Sequence, residues 1–376
     1  MNYTTFGDTK ERVSRLGFGC MRLPTRLGQD GKEQVDEEAA IEMLRKGYEL
    51  GINYFDTAYF YHGGQSEVVL GKALQGLRDR VLVSSKCPGD RVKKPGDYRR
   101  ILEEQLTRLG TDHLDFYHYH GVSYDGFMEV EKRAGWHAEA VKAKSEGLIR
   151  HVSFSFHSEK PEDMIRLVDT GYFETVLCQY NVLDRSNEAG MAHAKAKGLG
   201  VTVMGPLGGG RISGLPKELI EKCGIEVSAS AELGLRFVAT NPNVDILLSG
   251  MSAMPQLLEN AATVSRLTPL SPAEHEGIVK MAEEMKTLSD LYCTGCEYCM
   301  PCPFEVNIPF VFEQMNYHKV YGLTELARKN YAMIGKMPWF RGKNAAACTE
   351  CGECETKCPQ HLKIRDQLKE SHAALG

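Results

Sequence analysis

The sequence has no run of about 18 consecutive apolar residues, so no membrane-spanning helix is expected. Its N-terminus, MNYTTFGDTKERVSRLGFGC, lacks the apolar stretch after a basic start that marks a secretory leader. The formal charge is only −5, too little of either sign to point to nucleic acid or an anionic membrane as partner. Low-complexity tracts and internal repeats are missing. No strand–G-x-G-x-x-G–helix unit occurs, which excludes a Rossmann-type dinucleotide fingerprint. The expected setting is the cytoplasm, and partners have to be read from sites.

What is present suits a soluble protein of two parts. A chain of 376 residues accommodates a barrel of roughly 250 residues plus an appendage. Eight short apolar runs suit buried parallel strands: Leu16–Cys20, Ile52–Asp56, Val81–Lys86, Leu114–His120, Ile149–Phe154, Val176–Tyr180, Val201–Met204 and Asp245–Leu248. Helix-like segments such as Asp36–Leu50, Ser66–Leu77, Asp97–Leu109 and Leu257–Ser265 lie between them. This alternation predicts an α/β fold, a (β/α)8 barrel, with a doubly wound open sheet as runner-up. Tyr3–Phe6 and Val13–Ser14 read as an N-terminal hairpin under the barrel floor. A Pro/Ser stretch at Thr268–Pro272 sets the expected division into a barrel over 1–270 and a small C-terminal α-helical domain over 271–376.

Eight of the twelve cysteines lie between Cys293 and Cys358. They form two runs, Cys293-x2-Cys296-x2-Cys299-x2-Cys302-Pro303 and Cys348-x2-Cys351-x2-Cys354-x3-Cys358-Pro359. The second has the full bacterial ferredoxin spacing, in which a tight loop offers three thiolates to a cubane and a distant Cys-Pro supplies the fourth. The spacing rule assigns Cys293, Cys296, Cys299 and Cys358 to one [4Fe–4S] cluster and Cys348, Cys351, Cys354 and Cys302 to another. The first run is one residue short, so Cys296, Cys299 and Cys302 also read as a triplet and the pairing stays open. Structural zinc is the competing reading, but two such runs exceed one four-thiolate site. Helical stretches at Pro309–Tyr317 and Leu323–Ile334 separate the runs, so the module resembles an α-helical ferredoxin. Cys20, Cys87, Cys178 and Cys223 read as buried or incidental.

Barrel active sites lie at the C-terminal ends of strands. There the sequence places Asp56, then Tyr61 in the following loop, Lys86 on the third strand and His120 on the fourth. Singly, each has a bland explanation as a solvated charge or a rim residue. On three successive strands they form a constellation. The segments G-I-N-Y-F-D-T-A-Y-F-Y at Gly51–Tyr61, S-S-K at Ser84–Lys86 and D-F-Y-H-Y-H at Asp115–His120 resemble the signatures of the aldo-keto reductase family. So do V-S-R-L-G-F-G near the start, M-G-P-L-G-G-G at Met204–Gly210 and S-G-M-S-A-M-P-Q-L-L-E-N at Ser249–Asn260. The tail resembles that of a subgroup with a C-terminal ferredoxin-type domain.

The resemblance implies that Tyr61 is the general acid, that Lys86 and Asp56 tune it, and that His120 orients a carbonyl. A neighbouring ammonium is expected to lower the phenol's pKa. His118, two residues deeper on the same face, reads as packing or second shell. The family binds a nicotinamide dinucleotide, here expected at Ser155, Gln179, Pro206, Leu207, Gly208, Gly250, Ser252, Gln256 and Asn260. Gly208-Gly209-Gly210 would let backbone approach a pyrophosphate. Three departures stand out: Phe156 replaces an asparagine, the family's carboxamide-binding glutamine aligns with Leu177, and Gly250 and Gln256 replace the Lys and Arg of NADPH-preferring members. The last favours NADH over NADPH.

The expected function is NAD(P)-dependent interconversion of a carbonyl and an alcohol by hydride transfer. Two [4Fe–4S] clusters would transfer electrons, with a possible redox partner protein, or stiffen the tail. The alternatives are an iron–sulfur electron-transfer protein on a barrel scaffold and a flavin-mediated reductase. Tyr59, Phe60, Trp136 and Phe156 either line an apolar mouth or pack against helices.

Overall fold

The computed structural model describes residues 1–28, 33–157, 160–208, 212, 230–290, 293, 299–337, 340–358 and 362–376. Gly209, Gly210, Cys223 and Cys296, singled out above, lie outside them. The chain divides into two compact units, one of Met1–Gly209 with Ala231–Leu270, the other including Ser271–Gly376.

The first unit is a closed barrel of eight parallel strands. These are β1 (Leu16–Gly19), β2 (Tyr54–Asp56), β3 (Leu82–Pro88), β4 (Leu114–Val122), β5 (Ile149–Phe156), β6 (Thr175–Gln179), β7 (Gly200–Met204) and β8 (Ile246–Gly250). Each pairs with its successor, and β8 closes on β1. Every residue of β3 is buried, as expected of a strand covered on both faces. The helices between strands start and stop on local signals. Asp36 accepts from the Ala39 amide ahead of the helix Glu37–Glu49, and left-handed Gly110 ends Asp97–Leu109.

Tyr3–Thr5 and Arg12–Ser14 pair as an antiparallel hairpin. Its turn drives Phe6 into the barrel floor, where it packs with Tyr54, Leu82, Phe116, Leu177, Ile246 and Leu248. The fit depends on Gly200, because a Cβ there would stand 2.4 Å from the Phe6 ring. Above this apolar floor the interior turns polar. Lys86 on β3, His118 on β4 and Ser153 on β5 are register partners, all buried.

The second unit is helical. Ile308–Lys319, Thr324–Ala332 and Ile364–Leu375 enclose a core that includes Val311, Phe312, Met315, Tyr331 and Leu368. Asn307 caps the first of these by accepting from the Phe310 amide. Among the described residues, no helix is long and apolar enough to cross a membrane.

Candidate active site

Asp56 ends β2 and Lys86 lies near the end of β3, so neighbouring strands deliver opposite charges to one buried point. Their side chains are 2% and 1% exposed and meet at 2.5 Å. Ser84 Oγ donates to the other Asp56 oxygen at 2.5 Å, and Lys86 Nζ also donates to the Thr57 carbonyl at 2.7 Å. Tyr61 follows β2 on a tight turn in which His62, Gly63 and Gly64 have φ of 50°, 65° and 93°. Such left-handed backbone favours glycine, and His62 adopts it at some cost in strain. The turn brings the Tyr61 ring centre to 4.9 Å from the Lys86 ammonium. From β4, His120 sets its ring 6.1 Å from that of Tyr61 and nearly perpendicular to it. The structure therefore gathers Asp56, Tyr61, Lys86 and His120 at the C-terminal rim.

The electrostatics follow from burial. For Lys86, burial opposes the charge, but Asp56 and then Tyr61 outweigh it and its pKa is raised. For Tyr61 the order is reversed. Burial pushes the phenol above its ordinary value, and the Lys86 ammonium pulls it back only in part. The expected net lowering is thus corrected: desolvation wins. His120 is held down to about 3 by burial, with Lys86 and His157 adding to the effect. It is a neutral imidazole at physiological pH, able to donate from one nitrogen and accept at the other. His118, buried beneath, is held well below the usual histidine range by burial and Lys86.

Behind the rim a second buried group braces the loop. Glu67 is fully buried and accepts from Ser85 Oγ at 2.7 Å and Gln105 Nε2 at 2.6 Å. Its other oxygen meets Arg108 at 3.1 Å. Arg108 in turn donates to the Tyr59 carbonyl at 3.1 Å and lies 4.3 Å from the Tyr59 ring centre. Gly64 sits over the same guanidinium, 3.2 Å from where its Cβ would be. One buried carboxylate thus holds the guanidinium that binds the Tyr59 carbonyl and lies beside Gly64, on either side of Tyr61.

On the opposite arc, Ser155 ends up beside β6, and its Oγ accepts from the Gly121 amide at 2.9 Å. Gln179 closes β6 with its side-chain amide packed against Gly205. A hydroxyl and an amide at adjacent strand ends fit the carboxamide of a nicotinamide. Pro206, Leu207 and Gly208 follow β7, and Gly208 returns a hydrogen bond to the Gly205 carbonyl at 2.8 Å. Gly250 ends β8, and the stem of Arg22 occupies the space its Cβ would need, at 3.3 Å. Gln256 accepts from the Ser252 amide at 2.8 Å, whereas Asn260 is buried and donates to Ser249 Oγ at 3.2 Å.

In the helical unit, Cys299, Cys302, Cys348, Cys351 and Cys354 line a single cavity with Val306, Ile308 and Leu368. Cys293 and Cys358 pack against the adjoining core. A pocket walled by five thiols fits iron–sulfur ligation.

Residues 15–283 match the model of the Aldo/keto reductase family, and residues 292–362 match that of the 4Fe-4S dicluster domain. The chain belongs to the aldo/keto reductase family. It is 29% identical to L-galactose dehydrogenase of Arabidopsis thaliana, over 70% of this chain and 88% of that one. It is 27% identical to the NADH-specific methylglyoxal reductase of Escherichia coli, over 76% and 100%. Among solved structures, an aldo-keto reductase from Bacillus halodurans in its holo form matches with a TM-score of 0.63 and 27% identity, over 75% of this chain and 96% of that one.

Within this aldo/keto reductase barrel, Leu177 belongs to the floor cluster, and Gln179, two residues on, is the last residue of β6. Trp136 and Phe156 are buried, Trp136 meeting Tyr98, Tyr119 and Phe127 edge to face and Phe173 at a tilt, so neither lines a mouth. Phe60 stays 42% exposed beside Arg91. Cys87 is buried as expected, and that burial raises its thiol to about 12. Cys20 and Cys178 are likewise buried. Sequence reasoning missed Glu67, Arg108 and His157. The only signal for His157 was its place just after the strand end that carries Ser155.

Proposed function

We propose that this chain is an NAD(P)H-dependent reductase that interconverts small carbonyl compounds and alcohols at the rim of its barrel. The observation that carries the reading is the buried Lys86–Asp56 pair set under the Tyr61 ring, with neutral His120 beside it. Ser155 and Gln179 would hold the carboxamide of a nicotinamide, which when bound would supply the hydride for the carbonyl carbon. His120 donates to the carbonyl oxygen and orients it. Tyr61 gives that oxygen its proton. Burial raises the phenol, and the Lys86 ammonium works against that rise by favouring the phenolate, which eases the transfer. Lys86 stabilises the phenolate left behind, and Asp56 keeps the ammonium in place.

NADH is the favoured donor, because Gly250 and Gln256 offer no charged pair for a 2′-phosphate, and the Escherichia coli relative is NADH-specific. A Klebsiella pneumoniae relative, 25% identical with a TM-score of 0.59, was solved with NADP, so both donors belong in the assay. In the helical unit, Cys302, Cys348, Cys351 and Cys354 would hold one [4Fe–4S] cluster, and Cys293, Cys296, Cys299 and Cys358 a second. The first four line one cavity together with Cys299, so the cavity supports ligation by these thiols, and the pairing rests on the spacing rule. Clusters supply one-electron capacity when bound.

The test is oxidation of NADH or NADPH by aldehydes with anaerobically purified full-length protein. Tyr61→Phe is expected to lower turnover by about 10²–10⁴-fold. Unchanged turnover would overturn the proposal. Iron analysis should return about eight irons per chain.

A further inference from the structure

His157 is the rim group that the reaction described above leaves without a task. It follows β5 directly, and its ring centre stands 6.3 Å from that of His120, inclined at 64°. That distance places its ring beside the group that orients the carbonyl, and desolvation, then the charge on Lys86, lowers its titration. Yet it is exposed at the mouth, and no hydrogen bond to its ring is formed among the described residues. Its backbone is tied down, the amide donating to the Val122 carbonyl at 3.4 Å. The result is a solvent-facing neutral imidazole one ring away from the group that orients the carbonyl.

That spacing has a chemical reading. An imidazole nitrogen stands about 1 Å from its ring centre and a hydrogen bond adds about 2.9 Å, so each ring reaches an oxygen about 4 Å from its centre. Two rings 6.3 Å apart can therefore serve two oxygens that are close neighbours, as oxygens on adjacent carbons are. A carbonyl compound with no second oxygen would leave His157 facing water. A neutral imidazole suits either a hydroxyl or a carbonyl, since it offers one donor and one acceptor.

We infer that His157 is a specificity-determining residue that binds the oxygen next to the reacting carbonyl, making α-hydroxy and α-oxo carbonyl compounds the substrate class. The inference rests on the proposed carbonyl reduction and narrows it. Hydride reaches the carbonyl carbon and Tyr61 protonates its oxygen. The neighbouring oxygen is bound and unchanged.

The experiment uses the full-length holoprotein and a matched pair of substrates, lactaldehyde and propanal, which differ by one α-hydroxyl. Wild-type protein is expected to show a higher kcat/KM for lactaldehyde, and His157→Phe to reduce the lactaldehyde-to-propanal ratio by roughly ten-fold, the scale of one hydrogen bond. His157→Asn, which keeps a donor and an acceptor, should restore part of the ratio. A ratio that is the same in wild type and His157→Phe overturns the inference, as does a variant whose only change is a higher KM for the dinucleotide. Turnover of propanal that depends on Tyr61 but shows no preference for lactaldehyde sinks the inference alone. Failure to reduce either aldehyde sinks the underlying reading as well.

Discussion

Replacing Lys86 with methionine removes one half of a buried ion pair and leaves the other half in place. Asp56 is 2% exposed and would keep only Ser84 as a partner. Breaking such a pair from one side costs about 3–5 kcal/mol, a large part of the 5–15 kcal/mol that holds a typical domain together. Asp56→Asn strands the ammonium in the same way, with the Thr57 carbonyl as its remaining strong acceptor. Removing both charges is different, since a neutral pair of similar volume pays no desolvation. The double variant Asp56→Asn/Lys86→Met should therefore lie within about 1–2 kcal/mol of wild type, far above the sum of the two single losses. Urea unfolding of the four proteins, followed by far-UV circular dichroism, measures this cycle. Activity must not follow stability. All three variants should lose turnover by about 10²–10⁴-fold, because the double variant regains its fold without an ammonium to stabilise phenolate. Additive losses of stability would show that the two groups do not act as a pair. Recovered turnover in the double variant would show that Tyr61 does not need the charge.

Three further outcomes follow from the same geometry. His120 is held to about 3, whereas an unfolded imidazole titrates near 6.5. The unfolded chain alone takes up that proton between these values, so His120 makes stability fall as pH drops below 6.5. Thermal melts of His120→Phe should show a flatter acid slope than wild type, and an identical slope would refute the assignment. Glu67→Gln should lower kcat by about ten-fold with little change in KM, because it loosens the loop that aims Tyr61. Steady-state kinetics that show only a KM effect would argue against bracing. Cys351→Ala should cut bound iron from about eight to about four per chain if each quartet of cysteines holds its own cluster. A complete loss would mean that the clusters form only together.

The barrel was legible because its strands are short apolar runs buried on both faces, and a covered strand has few ways to hide in sequence. Asp56, Lys86 and His120 were legible for a related reason: polar groups that end such runs have nowhere to go but the rim. Depth was legible only in part. Leu177 and Gln179 stand one pleat repeat apart, as the alternation implies, but that Leu177 packs against Phe6 in the floor shows only in the fold. The sign of the Tyr61 shift depends on how much water its neighbours exclude, which no spacing of residues encodes. His157 escaped because a histidine after a strand end is unremarkable until the ring beside it is known.

The hairpin that presses Phe6 into the barrel divides the interior into a part that holds and a part that reacts. A (β/α)8 interior is filled by layers of side chains and is not a pore, and Phe6 completes the lowest layer with Tyr54, Leu82 and Phe116. Stability and chemistry are thereby assigned to opposite ends of the same strands, so residues at the rim can change without disturbing the layer that keeps the strands together.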